Sequence, residues 1–284
     1  MTAAPLRSPA REFWRRFRRR HTALLAAAII ALVILLALFA PFIAPYDPTA
    51  ADYDALLQGP TLAHLAGTDS YGRDILSRII WGGRISLAVG LISALAGGIV
   101  GTIMGLVSGW SGGWVDALLM RICDVLFAFP GLLLAIAVVA LLGPGVENVI
   151  WAVAIFSVPV FARLTRGSTL ALKQTQYVQA ARAIGVSRHK LILHHILPGA
   201  LPAVIVYMSL RIGSAILVGA ALSFIGLGAQ PPSSEWGAML ADGRSYLGVA
   251  DHLTIFPGLA IFIVVLCFNV LGDGLRDALN QKLQ

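Results

Sequence analysis

The chain has 284 residues, of which 58% are hydrophobic and only 12% are charged. Soluble globular proteins carry about 25% charged residues, so this composition excludes an ordinary water-soluble domain and predicts an integral membrane protein. The formal net charge is +7. The arginines concentrate directly before a long apolar stretch, which is typical of a cytoplasmic membrane flank rather than of a nucleic-acid-binding surface. We therefore expect no nucleic-acid partner.

Six apolar stretches approach the length of a transmembrane helix, which needs about 20 residues. They predict an all-α membrane protein with about six spans, at residues 22–46, 85–107, 125–142, 149–162, 199–225 and 253–271. The fourth stretch is short, but Arg163 and Arg166 at its end can reach the membrane surface with their long side chains.

The positions of lysine and arginine predict the orientation, because positively charged loops stay in the cytoplasm. With the N-terminus inside, 16 of the 21 Lys and Arg residues fall in cytoplasmic segments, and both termini are then cytoplasmic. Residues 1–21 form a basic segment at the inner membrane surface, in which aromatic residues alternate with arginines. A topology signal without further role is the alternative interpretation of that segment.

The remaining boundaries follow from this topology. Residues 22–46 are the first transmembrane helix, and residues 47–84 form an extracytoplasmic segment rich in Gly, Pro and Asp. Residues 85–284 form a core of five helices.

The polar cytoplasmic stretch between the fourth and fifth spans predicts two short helices. Residues 176–183 have helical propensity, and Gly185 follows where a left-handed residue would end that helix. Ser187 can begin a second helix that runs to about Leu197. Pro198 then restarts the chain as a membrane span, since proline is tolerated in the first turn of a helix.

The first short helix contains two neighbouring alanines. Ala180 and Ala181 leave it almost without side chains, so the backbone or aromatic residues of another protein can approach closely. An ordinary solvated loop is the alternative interpretation, because alanine is also the best helix former.

The run Gln179-Ala-Ala-Arg-Ala-Ile-Gly185, followed by Leu197-Pro198, resembles the EAA loop of binding-protein-dependent ABC importers. The resemblance implies that residues 168–198 carry a coupling helix seated in a groove of an ATPase subunit. Its residues here are Gln179, Ala180, Ala181, Gly185, Leu197 and Pro198. Two positions depart from the family pattern, since Gln179 replaces the usual glutamate and His195 replaces a common isoleucine.

Several other runs are similar to the C-type permease of the dipeptide and oligopeptide branch. They lie in the family order and cover nearly the whole chain, at residues 40–48, 67–86, 129–136, 222–240 and 269–277. The resemblance implies a type I ABC importer permease fold in a bacterial inner membrane. It also implies half of a translocation pathway for peptides; nickel chelates or other small solutes are the alternative cargo.

The same resemblance implies the partners. They are a homologous second permease, two ATPase subunits that bind ATP and Mg, and an extracytoplasmic substrate-binding protein. The chain itself is expected to hold no cofactor.

Four glycines recur every four residues in the second predicted span and form a bare stripe on one helix face. Helices approach closely along such stripes in lipid. The stripe consists of Gly97, Gly101, Gly105 and Gly109. Simple loosening of the helix is the alternative interpretation, since glycine is common in membrane helices.

Arg211 lies about twelve residues into the fifth predicted span, where an exposed charge is costly. Its side chain must therefore face protein or water. Ala215, Gly219 and Ser223 continue its stripe at four-residue spacing, which predicts a wall of small and polar residues along the translocation path. A peptide carboxylate or an acidic residue of the partner permease can pair with Arg211.

A self-sufficient secondary transporter or channel is the rival class. Such proteins couple ions through membrane carboxylates or broken helices, and the sequence is poor in both. No GxxxxGK[ST] phosphate loop, HExxH or GxSxG motif occurs, so we expect no catalytic site in this chain. We expect no metal site either, because the cytoplasmic histidines lack ligand spacing and a nearby carboxylate.

Overall fold

Helices make up nearly all regular structure in residues 9–279, the part of the chain that the computed structural model describes. Within that part the only β pairing is an isolated bridge between Thr68 and Asp74. In chain order the helices are α1 (Pro9–Arg18), α2 (His21–Leu38), α3 (Ala40–Ile43), α4 (Ile75–Ser111), α5 (Gly113–Ala128), α6 (Gly131–Leu142), α7 (Val146–Lys173), α8 (Gln176–Ala183), α9 (Arg188–Leu191), α10 (Leu197–Phe224), α11 (Trp236–Gly243) and α12 (His252–Leu279). The prediction of an all-α protein is confirmed.

Five helical stretches are long and apolar enough to cross a membrane. They are α2, α4, α7, α12 and the run Arg188–Phe224, which includes α9 and α10. The helices α5 and α6 are long and apolar enough to cross a membrane when they are taken together, although they are bent by 92° relative to each other.

The bent pair also crosses the membrane, as its two ends show. At the start of α5, Lys173 Nζ from the end of α7 donates to the carbonyl oxygens of Gly109 and Trp110, at 3.0 and 2.9 Å. After α6, the Gly145 N–H at the start of α7 donates to the Leu227 carbonyl beyond the far end of α10. The segment between these points therefore runs from one end of α7 to the other, which gives six crossings.

The predicted third span, residues 125–142, is wrong as a single helix. It breaks at Phe129 and Pro130, which separate α5 from α6. Proline has no N–H to donate, and it forces the residue before it out of the helical region. Phe129 accordingly has φ −97° and ψ 136°. The break also contradicts the expectation that the chain is poor in broken helices.

The helix that contains the second span begins before the predicted span. Residues 75–84 of the predicted extracytoplasmic segment form the first turns of α4. Asp74 caps this helix, since its carboxylate accepts the Ser77 N–H at 2.7 Å. The first span ends earlier than predicted, because α2 stops at Leu38 and the short helix α3 follows it.

The glycine stripe of α4 lies against α7. A methyl group on Gly97 would meet the Ala154 carbonyl and Ser157, and one on Gly101 would meet the Val158 carbonyl. Gly105 and Gly109 meet the same helix nearer its cytoplasmic end. The bare stripe therefore lets two membrane helices approach to backbone contact, and α4 packs along α7 for most of its apolar length.

The basic segment docks on the last span. Phe17 of α1 is buried against Ala23 of α2 and Ala278 of α12. Arg20 forms an ion pair with Asp277, with 2.9 Å between Nη2 and Oδ2. Residues 1–8 of the predicted basic segment lie outside the described residues.

We expect Gly101→Leu to destabilise the protein, because the larger side chain would force α4 away from α7. Overpacking of a tight core costs about 1–3 kcal/mol. The measurement is the midpoint of thermal unfolding in detergent, with the yield of purified protein.

Gly167→Leu is the matched control for this substitution. Gly167 lies inside α7, and a methyl group there would meet nothing within 4 Å. Equal midpoints for the two variants would show that the stripe is not a packing contact.

Candidate functional site

The cytoplasmic helix α8 covers the residues predicted for it, Gln176–Ala183. Gly185 follows it with a left-handed φ of +84°. The N–H of Gly185 donates to the Arg182 carbonyl, and the N–H of Val186 donates to the Ala181 carbonyl, both at 3.1 Å. These two bonds form a Schellman motif, which fixes the end of the helix. The predicted helix and its glycine stop are confirmed.

One face of α8 packs on its own chain and the other is open. Val178 is 2% exposed and Ala181 is also buried, whereas Gln179 and Ala180 are exposed. The prediction that both alanines are open to another protein is therefore wrong for Ala181. Ile184 directly follows α8 and is 82% exposed, so it adds an apolar group to the open face that sequence reasoning missed.

The second cytoplasmic helix does not stop before the membrane. It begins after Ser187, as predicted, although the Ser187 side chain makes no capping bond. A π-helical turn at Ile192–Ile196 then leads directly into α10. The predicted restart at Pro198 is wrong, because the chain passes the proline without leaving the helix. A proline removes one backbone donor, and the wider turn before it is a known way for a helix to absorb such a change.

The cytoplasmic segment is positively charged. Residues 174–196 contain Arg182, Arg188 and Lys190 and no acidic residue, and all three basic residues are exposed. Leu197 is partly buried and Pro198 is exposed where this segment meets α10. The open face of α8 thus combines small, apolar and cationic groups.

Arg211 lies at the middle of α10 and is only 7% exposed. Its Nε donates to Ser157 Oγ of α7 at 2.8 Å, and the guanidinium lies over the Phe156 ring at 4.5 Å from the centroid. The Ser157 hydroxyl donates in turn to the Val153 carbonyl, which leaves its lone pairs free for the arginine. Nη1 is 3.4 Å from Ser214 Oγ.

The charge of Arg211 has no acidic partner in residues 9–279, and its Nη2 contacts no hydrogen-bond acceptor there. Two hydroxyl groups and one aromatic face are thus its only described partners. Because a buried charge is costly, the loss of any one of these contacts should destabilise the protein.

The predicted wall along the translocation path is not an accessible surface in this structure. Ala215 is fully buried in an apolar cluster with Val89 and Val149, and Gly219 lies against the same two valines. Ser223 is buried and accepts the Ala229 N–H at 3.3 Å. The four-residue spacing follows the face of α10 that packs on its own chain, so spacing alone cannot separate a packed stripe from a pore.

Sequence reasoning missed a group of buried contacts on the outer side, where α11 is fixed to α4. Trp236 Nε1 donates to the Ile79 carbonyl at 2.9 Å, and Ser86 Oγ donates to Glu235 Oε1 at 3.0 Å. Glu235 also caps α11 by accepting the Ala238 N–H. The sequence signal for these contacts was the pair Glu235-Trp236 at the start of the short helix α11.

Arg78 completes this outer group. It is almost fully buried, and it donates to the carbonyl oxygens of Pro48 and Ser233 at 3.3 and 3.2 Å. Its Nε is 3.6 Å from Asp69 Oδ2. Burial raises the pKa of the nearby Asp242 carboxyl, while Arg78 acts to lower it. One arginine thus links the outer segment, α4 and the loop before α11.

No group of three or more potential metal-binding side chains occurs anywhere between residues 9 and 279. The described residues form transmembrane helices, a cytoplasmic helix α8 with one open face, and an outer helix α11 that is held on α4. This combination defines the membrane-spanning subunit of a transporter.

Residues 97–284 match the family of binding-protein-dependent transport system inner membrane components. Residues 8–60 match the N-terminal transmembrane domain of oligopeptide transport permease C. The chain belongs to the binding-protein-dependent transport permeases, as a multi-pass inner membrane subunit of an ABC importer in the peptide branch.

Among its relatives is the glutathione transport system permease protein GsiD of Pectobacterium atrosepticum. The two chains are 56% identical over 280 residues, which covers 98% of this chain and 93% of the relative. GsiD of Escherichia coli O157:H7 is also 56% identical, over 98% of this chain and 92% of the relative.

Solved structures show the same fold. The MetNI methionine ABC transporter in an inward-facing conformation gives a TM-score of 0.59 at 18% identity, covering 73% of this chain and 97% of that chain. An amino acid ABC transporter with histidines gives 0.54 at 17% identity, with 70% and 92% covered. The fold is that of a type I ABC importer permease.

We expect Ser157→Ala to lower the stability of the protein by about 1–3 kcal/mol, because it leaves the buried Arg211 Nε without an acceptor. The midpoint of thermal unfolding in detergent measures the effect.

Ser168→Ala is the control on the same helix. Its hydroxyl bonds to the Leu164 carbonyl in the way that Ser157 bonds to Val153, but among the described residues it makes no hydrogen bond with an arginine. Its loss should change stability by no more than about 0.5 kcal/mol. Equal effects of the two substitutions would contradict a role for Ser157 in holding Arg211.

Proposed function

We propose that this chain is the C-type permease of an ATP-driven importer of peptide-like cargo, including di- and oligopeptides. One observation carries the proposal: the open face of α8 bears Gln179 and Ala180 of the EAA-like motif, on a helix joined at both ends to membrane spans. The relatives named for glutathione, itself a tripeptide, support cargo of this class.

The connections of α8 suit a coupling helix. Only residues 174 and 175 separate α7 from α8, and the Schellman turn at Gly185 joins α8 to the helical run that continues as α10. Because these connections are short and hydrogen-bonded, a displacement of α8 also displaces the helices on either side of it, as in rigid-body helix movements. A partner that moves α8 therefore moves two membrane spans.

The open face also indicates the chemistry of the partner. Ala180 permits close approach, Ile184 offers an apolar contact, and Arg182 adds positive charge at the edge. A groove with an apolar floor and acidic rim on an ATPase subunit would complement it. Gln179 is exposed, and within residues 9–279 its side chain hydrogen-bonds only to the Gln174 carbonyl at 3.4 Å, so it is available to a partner.

In this proposal the ATP and Mg belong to two cytosolic ATPase subunits. A homologous second permease supplies the other half of the pathway, and an extracytoplasmic binding protein delivers the peptide. The present chain contributes binding surfaces and movement, and the partner subunits perform the hydrolysis.

We expect Ala180→Cys to form a crosslink to an ATPase subunit when the whole complex is treated with a short bifunctional thiol reagent. Ala180 is exposed on the open face of α8, where the partner would sit. Mass spectrometry of the crosslinked band identifies the partner. The natural cysteines, Cys123 and Cys267, are buried and add little background.

Ala181→Cys provides the matched control, since it changes the neighbouring alanine on the buried face. Crosslinks from position 181 alone, or from neither position in a complex that hydrolyses ATP, would contradict docking through the open face.

The cargo is tested with the whole complex reconstituted in liposomes together with its binding protein. We expect uptake of labelled glutathione, dipeptides or oligopeptides that requires ATP and stops with a non-hydrolysable analogue. Free amino acids and nickel chelates are the control solutes. Uptake of a control solute in place of every peptide would refute the cargo, and uptake without ATP would refute the mechanism.

A further inference from the structure

The break between α5 and α6 lies beside the middle of the membrane helices α7 and α10. Gly131, the first residue of α6, is in contact with the Phe156 ring, since a methyl group there would clash with it. Phe156 in turn lies under the guanidinium of Arg211, which is at the midpoint of α10. The ends of two helices therefore meet at the depth where lipid would be most apolar.

Backbone groups at this break lack partners. A helix leaves its last carbonyl groups and its first N–H groups without intrahelical bonds. The first backbone hydrogen bond of α6 runs from the Leu134 N–H to the Pro130 carbonyl. The N–H groups of residues 131–133 therefore have no acceptor within the helix. No side chain of the described residues caps either helix at this point.

Residues 9–279 do not cover the break with their own atoms. Phe129 is 54% exposed, Leu133 in the first turn of α6 is 59% exposed, and Pro130 is exposed between them. Irregular backbone at membrane depth is tolerated only where it is buried in protein or lines a water-filled cavity. Lipid is therefore excluded as the neighbour of this surface.

A charged pair beside the break favours water over protein. Arg163 Nη2 donates to Asp124 Oδ1 at 2.6 Å, and the two side chains are 50% and 51% exposed. Arg163 also lies over the Phe127 ring, two residues before Phe129. Half-exposed charges of both signs are stable against water and costly against an apolar surface. Because Arg163 is predicted to reach the cytoplasmic membrane surface, this pair indicates water that extends from that surface to within two residues of Phe129.

We propose that the break at Phe129 and Pro130 lines the water-filled passage through which the cargo crosses. Water bonds to the freed carbonyl and N–H groups when the passage is empty. The same groups offer hydrogen bonds to the backbone of a peptide without selecting its side chains. This assignment rests on the proposed transport function and locates its pathway on α5 and α6 instead of on α10.

The test is thiol accessibility in the whole complex, reconstituted in liposomes. Phe129→Cys is treated from either side with a charged, membrane-impermeant methanethiosulfonate, which reacts with the thiolate and thus needs water at the site. Ile99→Cys is the control, because Ile99 is 57% exposed on α4 between Gly97 and Gly101, which pack on α7 close to Phe156.

We expect position 129 to react at least about tenfold faster than position 99 in one nucleotide state, since only the former meets water. A saturating peptide cargo should slow the reaction at 129. Leu133→Cys repeats the test if the substitution at 129 prevents assembly. The assignment is overturned if positions 129 and 133 react no faster than position 99, both with and without ATP. The second permease would then be the protein that buries the break.

Failure here is distinguishable from failure of the proposed function. If wild-type complex imports peptides while positions 129 and 133 stay unreactive, the pathway lies elsewhere and the transport function stands. If position 129 reacts but no peptide enters, the passage exists and the cargo assignment is wrong.

Discussion

The close contact between α4 and α7 determines the positions of the other functional elements. In lipid the hydrophobic effect does not drive helices together, so van der Waals contact along small residues must do so. The glycine stripe brings the backbone of α4 onto α7. This contact places Ser157 beside Arg211 and sets Lys173 over the last carbonyl groups of α4. The end of α7, and with it the start of α8, is thereby fixed to the second span.

The positions of these helices support the proposed coupling of this chain to an ATPase subunit. The helix α8 is short, capped and open on one face, and it hangs between α7 and the helical run that contains α10. On the other side of the membrane, Trp236 and Glu235 hold α11 to α4. The cytoplasmic helix α8 and the outer helix α11 are thus attached to the same pair of packed helices, α4 and α7.

Local signals in the sequence predicted the local structure well. The bounds of α8 and the left-handed Gly185 follow from propensity and the needs of a helix end. The start of α4 was missed because Arg78 and Arg84 lower the hydropathy of its first turns, although Asp74 with Ser77 was a readable cap. Burial of Arg78 depends on Pro48 and Ser233, which are distant in sequence, so no local pattern reveals it.

Residue spacing and hydropathy gave wrong predictions where the structure depends on contacts with other helices. A hydropathy window cannot detect a right-angled bend, so 125–142 passed as one span although Pro130 stood inside it. The stripe below Arg211 has the same four-residue period as the stripe of α4. Only the contacts of Ala215 and Gly219 with Val89 and Val149 show that it too is packed. The two neighbouring alanines of α8 likewise differ only in what lies behind them.

The unbroken run Arg188–Phe224 has a mechanical consequence. Its 37 residues correspond to about 55 Å at 1.5 Å per residue, more than the thickness of the hydrocarbon core. A rotation of about 5° around the cytosolic end displaces the far end by roughly 5 Å, close to the rise of one helical turn along its axis. Under such a rotation the outer end of α10 moves farther than its cytoplasmic end.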